Sequence, residues 1–224
     1  MVSNANDDFL WSPDGTSIVF LSVGAEGPGI YEKRASGIGD ATLILSSPGV
    51  AWPYAWPEAD QLHYFAGVFG NNDLWTMSPE NPEDRTALVR TEFNEVDGMV
   101  SPDGEWYAYS QNATGRFEIY LTTFPPSSTK LLVTPQGGAD PFWSSDGTEL
   151  FYVKPSTSEL MSVAVTPGNP PQFGAHRRLH PGPFFYPDNH PFFLAPDGER
   201  ILVVPSSQPV GDITILLNWQ TRQD

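Results

Sequence analysis

The sequence contains no cysteine. Disulfide frameworks, thiol nucleophiles, thiolate zinc sites and iron–sulfur clusters are excluded together, although the compartment stays open, because a cysteine-free domain suits cytoplasm and periplasm alike. Positive charge is scarce: 11 Lys and Arg stand against 27 Asp and Glu in 224 residues, for a formal net charge of −16 and a pI near 4.4. Nucleic acid is therefore not expected as a partner, since phosphate binding needs clustered cations. No apolar run approaches the roughly 18 residues that span a bilayer, so no direct membrane insertion of this segment is expected. Met1 to Asp8 has neither the basic region nor the apolar run of a signal peptide. Sustained helical periodicity is missing as well.

What is present points to a folded β protein. Hydrophobic residues make up 39% and aromatics 13%, too many for a disordered acidic chain. The 20 Gly and 23 Pro are spread in small clusters, as many turns require.

An internal repeat organises the chain. Trp11-Ser12-Pro13-Asp14-Gly15 returns as Val100-Ser101-Pro102-Asp103-Gly104, as Trp143-Ser144-Ser145-Asp146-Gly147 and as Leu194-Ala195-Pro196-Asp197-Gly198. A degenerate copy, Trp56-Pro57-Glu58-Ala59-Asp60, keeps the Trp and loses the Asp-Gly. The second positions are 12, 57, 101, 144 and 195, so the spacings are 45, 44, 43 and 51. A four-stranded propeller blade takes roughly 40 to 45 residues. Each copy opens an apolar run, for example Ile18 to Leu21, Trp106 to Tyr109 and Leu150 to Val153. An Asp-Gly pair between two such runs is a hairpin signal. Third runs follow at Gly29-Ile30-Tyr31, Asp73-Leu74-Trp75, Glu118 to Leu121, Leu160 to Val163 and Ile213 to Leu217. Shorter fourth runs follow at Thr42 to Leu45, Ala87 to Val89, Lys130 to Val133 and, weakly, Arg177 to Leu179. The expected fold is all-β, a β-propeller of four-stranded antiparallel blades in a single domain over residues 1–224. Its five blade motifs begin near residues 8, 50, 96, 139 and 190. The last blade is incomplete, which suggests a piece of a larger propeller.

These Ser-Pro-Asp-Gly repeats resemble the TolB-like, WD40-like (PD40) propeller repeat. The segments Thr91 to Glu95, Ser101 to Asn112, Gly115 to Tyr120, Gly137 to Trp143, Asp146 to Tyr152 and Ile213 to Trp219 resemble, more narrowly, the C-terminal propeller of bacterial, especially acidobacterial, serine/threonine protein kinases. The resemblance implies a non-catalytic binding or sensing module that follows a kinase domain and a membrane-spanning helix and lies outside the cytoplasm, in the periplasm or beyond. Kinase activity does not carry over: there is no Gly-rich phosphate loop before a strand lysine, no His-Arg-Asp loop and no Asp-Phe-Gly. The alternative is the regulatory propeller of a prolyl-oligopeptidase-like hydrolase whose catalytic domain lies elsewhere. No Gly-x-Ser-x-Gly elbow occurs in this chain.

No residue stands out as catalytic, cofactor-binding or metal-ligating, and no cofactor is expected. Asp14, Asp103, Asp146 and Asp197 read as turn residues, because a hard cation needs several oxygens converging on one point. Trp11, Trp56 and Trp143 share one repeat position and are expected in the core between blades, as are Trp52, Trp75, Trp106 and Trp219. His176 and His180, with His190 nearby, have the His-x3-His spacing of a zinc grip on a helix, but they sit in a weak outer strand and read as exposed loop histidines. Asp7, Asp8, Glu58, Asp60, Glu83, Asp84, Glu92 and Glu95 read as solvated blade rims, from which no acid/base pair can be picked. Longer connections are expected at 67–72, 78–85, 124–128, 156–158 and 166–173, rich in Gly, Pro, Asn and Ser, and such loops usually carry binding. The partner implied is a protein or peptide, basic in character, because the negative charge attracts cationic surfaces in a salt-sensitive way.

Overall fold

The computed structural model describes residues 9–68, 70–182, 192–194, 200–203 and 214–217. Asp7, Asp8, His190, Asp197 and Trp219, named above, lie outside the described residues. Among those described there is no helix.

The strands form successive antiparallel sheets in chain order. Blade 1 is β1 (Phe9–Trp11), β2 (Ser17–Gly24), β3 (Gly27–Arg34) and β4 (Thr42–Ser46). Blade 2 is β5 (Val50–Glu58), β6 (Gln61–Val68), β7 (Asn71–Ser78) and β8 (Asn81–Val89). Blade 3 is β9 (Glu95–Val100), β10 (Trp106–Gln111), β11 (Glu118–Thr123) and β12 (Leu131–Leu132). Blade 4 is β13 (Ala139–Trp143), β14 (Glu149–Lys154), β15 (Glu159–Thr166) and β16 (Gln172–His180). A three-stranded sheet follows: β17 (Phe192–Leu194), β18 (Arg200–Val203) and β19 (Thr214–Leu217). This is the all-β, four-stranded antiparallel blade architecture read from the repeat.

The repeated turn holds itself together. Ser12 Oγ donates to Asp14 Oδ1 at 2.7 Å, and that carboxylate accepts from the Thr16 amide at 3.0 Å. Ser12 Oγ in turn accepts from the Ser17 amide at 2.9 Å. The same net joins Ser101, Asp103, Glu105 and Trp106, and again Ser144, Asp146, Thr148 and Glu149. The glycine behind each aspartate has a left-handed φ, +71° at Gly15, +74° at Gly104 and +71° at Gly147, open to a residue without a Cβ. The Ser hydroxyl is the first cause that holds each of the three aspartates below the usual carboxylate range. Blade 2, lacking the motif, turns in two residues: Glu58 pairs with Gln61 and the strands run longer.

Two compact units emerge, Met1–Gly98 with Gln111–Ala113, and Met99–Ser110 with Thr114–Asp224. In the first, Val19, Ile30 and Leu45 of blade 1 pack on Ala51, Leu62, Tyr64 and Met77 of blade 2, with Trp56 and Trp75 at the border. In the second, Trp106, Ala108, Ile119, Leu121 and Val133 pack on Trp143, Leu150, Tyr152, Val163 and Val165. A smaller cluster joins Phe151, Val153, Leu160 and Leu179 to Ile201. Burying such side chains contributes roughly 1.5–3 kcal/mol each.

Several expectations are corrected. Trp11 is 55% exposed, not in a core, whereas Trp143 at the same repeat position is 4% exposed. The connections expected at 67–72 and 78–85 are tight hairpins, with Val68 opposite Asn71 and Ser78 opposite Asn81, because the Asn and Pro residues there are taken into strands. Arg177 to Leu179 belong to a nine-residue strand rather than a weak one, and His176 and His180 lie in it, not in a loop.

Candidate binding end of the blades

Antiparallel order in chain sequence sorts the connections. Within each blade the first-to-second and third-to-fourth turns lie at one end. The second-to-third hairpin and the link to the next inner strand lie at the other. The Asp-Gly turns occupy the first end, with their polar groups bonded to one another. A wide, open cleft of about 740 Å³ lies there in blade 1, between Gly15–Ser17 and residues 35–40, where Lys33 Nζ donates to the Gly39 carbonyl at 2.9 Å.

The second end carries the less usual chemistry. In the first unit Glu95 opens β9 and is 0% exposed, which overturns its reading as a solvated rim carboxylate. Its oxygens accept from Gln111 Nε2 at 2.6 Å, the Thr91 amide at 3.2 Å and the Thr91 hydroxyl. Burial pushes the carboxyl up, and the Thr91 and Gln111 bonds pull it back in part. An asparagine ladder runs alongside: the Asn72 amide donates to Asn94 Oδ1 and the Asn94 amide to Asn112 Oδ1, both at 2.9 Å. Nearby, Asp73 meets Arg90 at 3.5 Å, and Arg85 and Arg90 lie 5.5 and 5.7 Å from the Trp75 ring centre.

In the second unit the same end holds a cleft of about 280 Å³. One wall is Thr134, Pro135, Gln136 and Gly137, and the other is Tyr152, Lys154, Met161 and His176. The first wall is pinned: Thr134 Oγ1 accepts from the Ile119 amide at 2.7 Å, the Gly137 amide donates to the Thr134 carbonyl at 3.0 Å, and Arg116 Nη2 donates to the Pro135 carbonyl at 2.7 Å. Arg116 also meets Glu118 at 3.1 Å. On the second wall the Tyr152 hydroxyl and His176 Nδ1 are 2.8 Å apart, with the rings edge to face. Burial, with the charge of Glu159 adding to it, pushes the Tyr152 phenol up to about 12. Burial lowers His176. With His176 in its neutral form, which the lowering favours, one proton lies between the two groups and one polar hydrogen is left for a ligand, on His176 Nε2 or on the Tyr152 oxygen, according to tautomer.

His180 is 3.2 Å from the Gly182 amide through Nδ1, and among the described residues no group of three His, Cys, Asp or Glu gathers as a metal set. Asp97 and Asp140, each four residues before the turn serine, adopt left-handed φ of +53° and +54° where the inner strands begin. The burial of Glu95 and the Tyr152–His176 pair were not legible in the sequence. Both depend on which strand face is covered, and the available signal was that Tyr152 lies within the apolar run Leu150 to Val153.

No protein-family model matches the chain. Its fold is that of a TolB-like propeller. It is similar to TolB from Acinetobacter baumannii, with 20% identity, a TM-score of 0.71, and coverage of 95% of this chain and 52% of that one. A structure described as a TolB from Agrobacterium tumefaciens gives 18% identity, a TM-score of 0.61, and coverage of 80% and 66%. Prolyl endopeptidases studied for inter-domain dynamics in catalysis give 16%, 0.55, 89% and 30%. The chain thus spans about half to two thirds of the TolB structures it matches.

Proposed function

We propose that the chain is a non-catalytic binding or sensing module within one propeller domain over residues 1–224, with a protein or peptide partner, basic surfaces included. In this reading it is the C-terminal part of a membrane-linked serine/threonine kinase or of a TolB-like protein, displayed outside the cytoplasm. The observation that carries it is the sorting of chemistry in each unit. The Asp-Gly ends are bonded internally, while the opposite ends hold the Glu95 cluster in one unit and the Tyr152–His176 cleft in the other. Neither is arranged as a nucleophile with its base. Glu95 is sealed by three donors, and Tyr152 is held far from its anionic form. The net charge of −16 supports salt-sensitive recognition of cationic partners.

Photo-crosslinking in cells tests this. A benzophenone side chain at Ser156, in the turn between β14 and β15, is expected to give a discrete protein adduct, and one at Pro102, at the opposite end, is not. Adducts from Pro102 alone, or peptide turnover abolished by Glu95→Gln, would overturn the reading. The likeness to prolyl endopeptidases supports the second reading, a regulatory propeller of a hydrolase. The adjoining genomic sequence separates the two: an in-frame kinase domain and spanning helix upstream favour the first, an adjoining α/β-hydrolase domain the second.

A further inference from the structure

We propose that the 280 Å³ cleft of the second unit binds a single carboxylate group bearing a small apolar substituent, which rests on the binding-module reading above. Lys154 is the one side chain of its lining with a permanent charge, a cation on a chain of net charge −16. Its ammonium forms no salt bridge among the described residues. Glu159, opposite Lys154 across the strands, feels the charge of Lys154 as well as that of Arg178, but its direct bonds are to Arg178 at 3.0 Å and to the Thr157 hydroxyl at 2.7 Å. An anion entering the cleft therefore finds a cation that no described carboxylate holds in an ion pair.

The neighbouring groups select which anion. With His176 neutral, the Tyr152–His176 pair offers one hydrogen-bond donor in either tautomer, and Gln136 offers amide hydrogens from the facing wall. One cation and neutral donors match a monoanion. A phosphate dianion would need a second cation or a nest of free amides. Arg116 lies behind the wall, paired with buried Glu118, and the amides of Gly137 and Gly138 already donate to the Thr134 and Phe117 carbonyls. Met161 supplies apolar surface beside these donors. A volume just below the roughly 300–1,000 Å³ of small-molecule sites fits an acid of amino-acid size, not a cofactor. A free acid and a peptide C-terminus present the same chemistry.

The test is calorimetric titration of the full chain with four probes: N-acetyl-leucine, N-acetyl-leucinamide, a tetrapeptide ending in Ala-Leu with a free carboxylate, and the same peptide amidated. The acids are expected to bind and the amides not. Lys154→Gln is expected to weaken binding at least tenfold, and Lys154→Arg to keep it within about threefold. A thermal melt of each variant confirms folding, since Lys154 is half-exposed. Binding of the free acid alone assigns the cleft to small metabolites, and binding of the peptide acid assigns it to chain termini. Equal binding of acid and amide, no binding of either acid, or binding unchanged in Lys154→Gln overturns the proposal. The Ser156 crosslink is scored separately, so loss of the carboxylate site leaves the module reading to stand or fall on its own.

Discussion

Trp11 and Trp143 occupy the same position of the same repeat, yet one is 55% exposed and the other 4%. Trp143 packs among Trp106, Ile119 and Leu121, with Nε1 donating to the Met99 carbonyl at 3.3 Å. Trp11 pairs with Ile18 in an identical hairpin, beside Phe9, itself 53% exposed. The motif builds the hairpin, whereas burial comes from the neighbouring sheet that a blade leans on. The two units differ in a second respect. Buried Glu118 and Glu149 of the second are met by Arg116 and Arg177. Glu95 of the first is met by neutral donors, and His63 is wholly buried in the same unit.

Truncating the two tryptophans gives the largest expected contrast. Trp143→Ala should destabilise by about 3–5 kcal/mol, as for large aromatics in cores, and Trp11→Ala by less than about 1 kcal/mol, read from urea unfolding of each variant. A Trp11→Ala loss as large as that of Trp143→Ala would show that another blade or a second copy covers Trp11 in solution, and the contrast would vanish.

Acidification is the next sharpest probe. Burial lowers His63 to about 4, so it stays neutral in the fold while the unfolded residue takes up a proton near 6.5. Its contribution is fully present above pH 6.5 and is lost as pH falls towards 4, by about 3 kcal/mol in all. Glu95, pushed up by burial, runs the other way: the stability it contributes is greatest below pH 4.5 and declines as pH rises through its folded value. Hydrogen exchange should therefore show the first unit loosening between pH 6.5 and 4, and His63→Leu should remove that trend. Equal loosening of both units in the wild-type chain would break the comparison.

What the units share should respond alike. Ser12→Ala and Ser144→Ala each remove a hydroxyl that donates to an aspartate and accepts a backbone amide, and each should cost about 1 kcal/mol in thermal melts. A clear inequality would mean that the turn leans on its surroundings. The smallest effect is expected at Asp140, whose left-handed φ suits glycine. Asp140→Gly should change stability by under about 1 kcal/mol, while Asp140→Val should lower it more, since a β-branched side chain resists that conformation.

Sequence alone determined the turn chemistry, most of the strand runs and the five successive blade motifs, because an Asp-Gly hairpin and alternating apolar residues act over fewer than about ten residues. It placed Asp14, Asp103 and Asp146 in turns and Trp106 and Trp143 in cores. It misjudged Trp11 and Glu95 and could not bring Tyr152 to His176, although both were in view. Those outcomes were decided by tertiary structure, because whether a strand face meets water or another sheet, and which diagonal neighbour a side chain reaches, depends on register and packing between segments far apart in the chain.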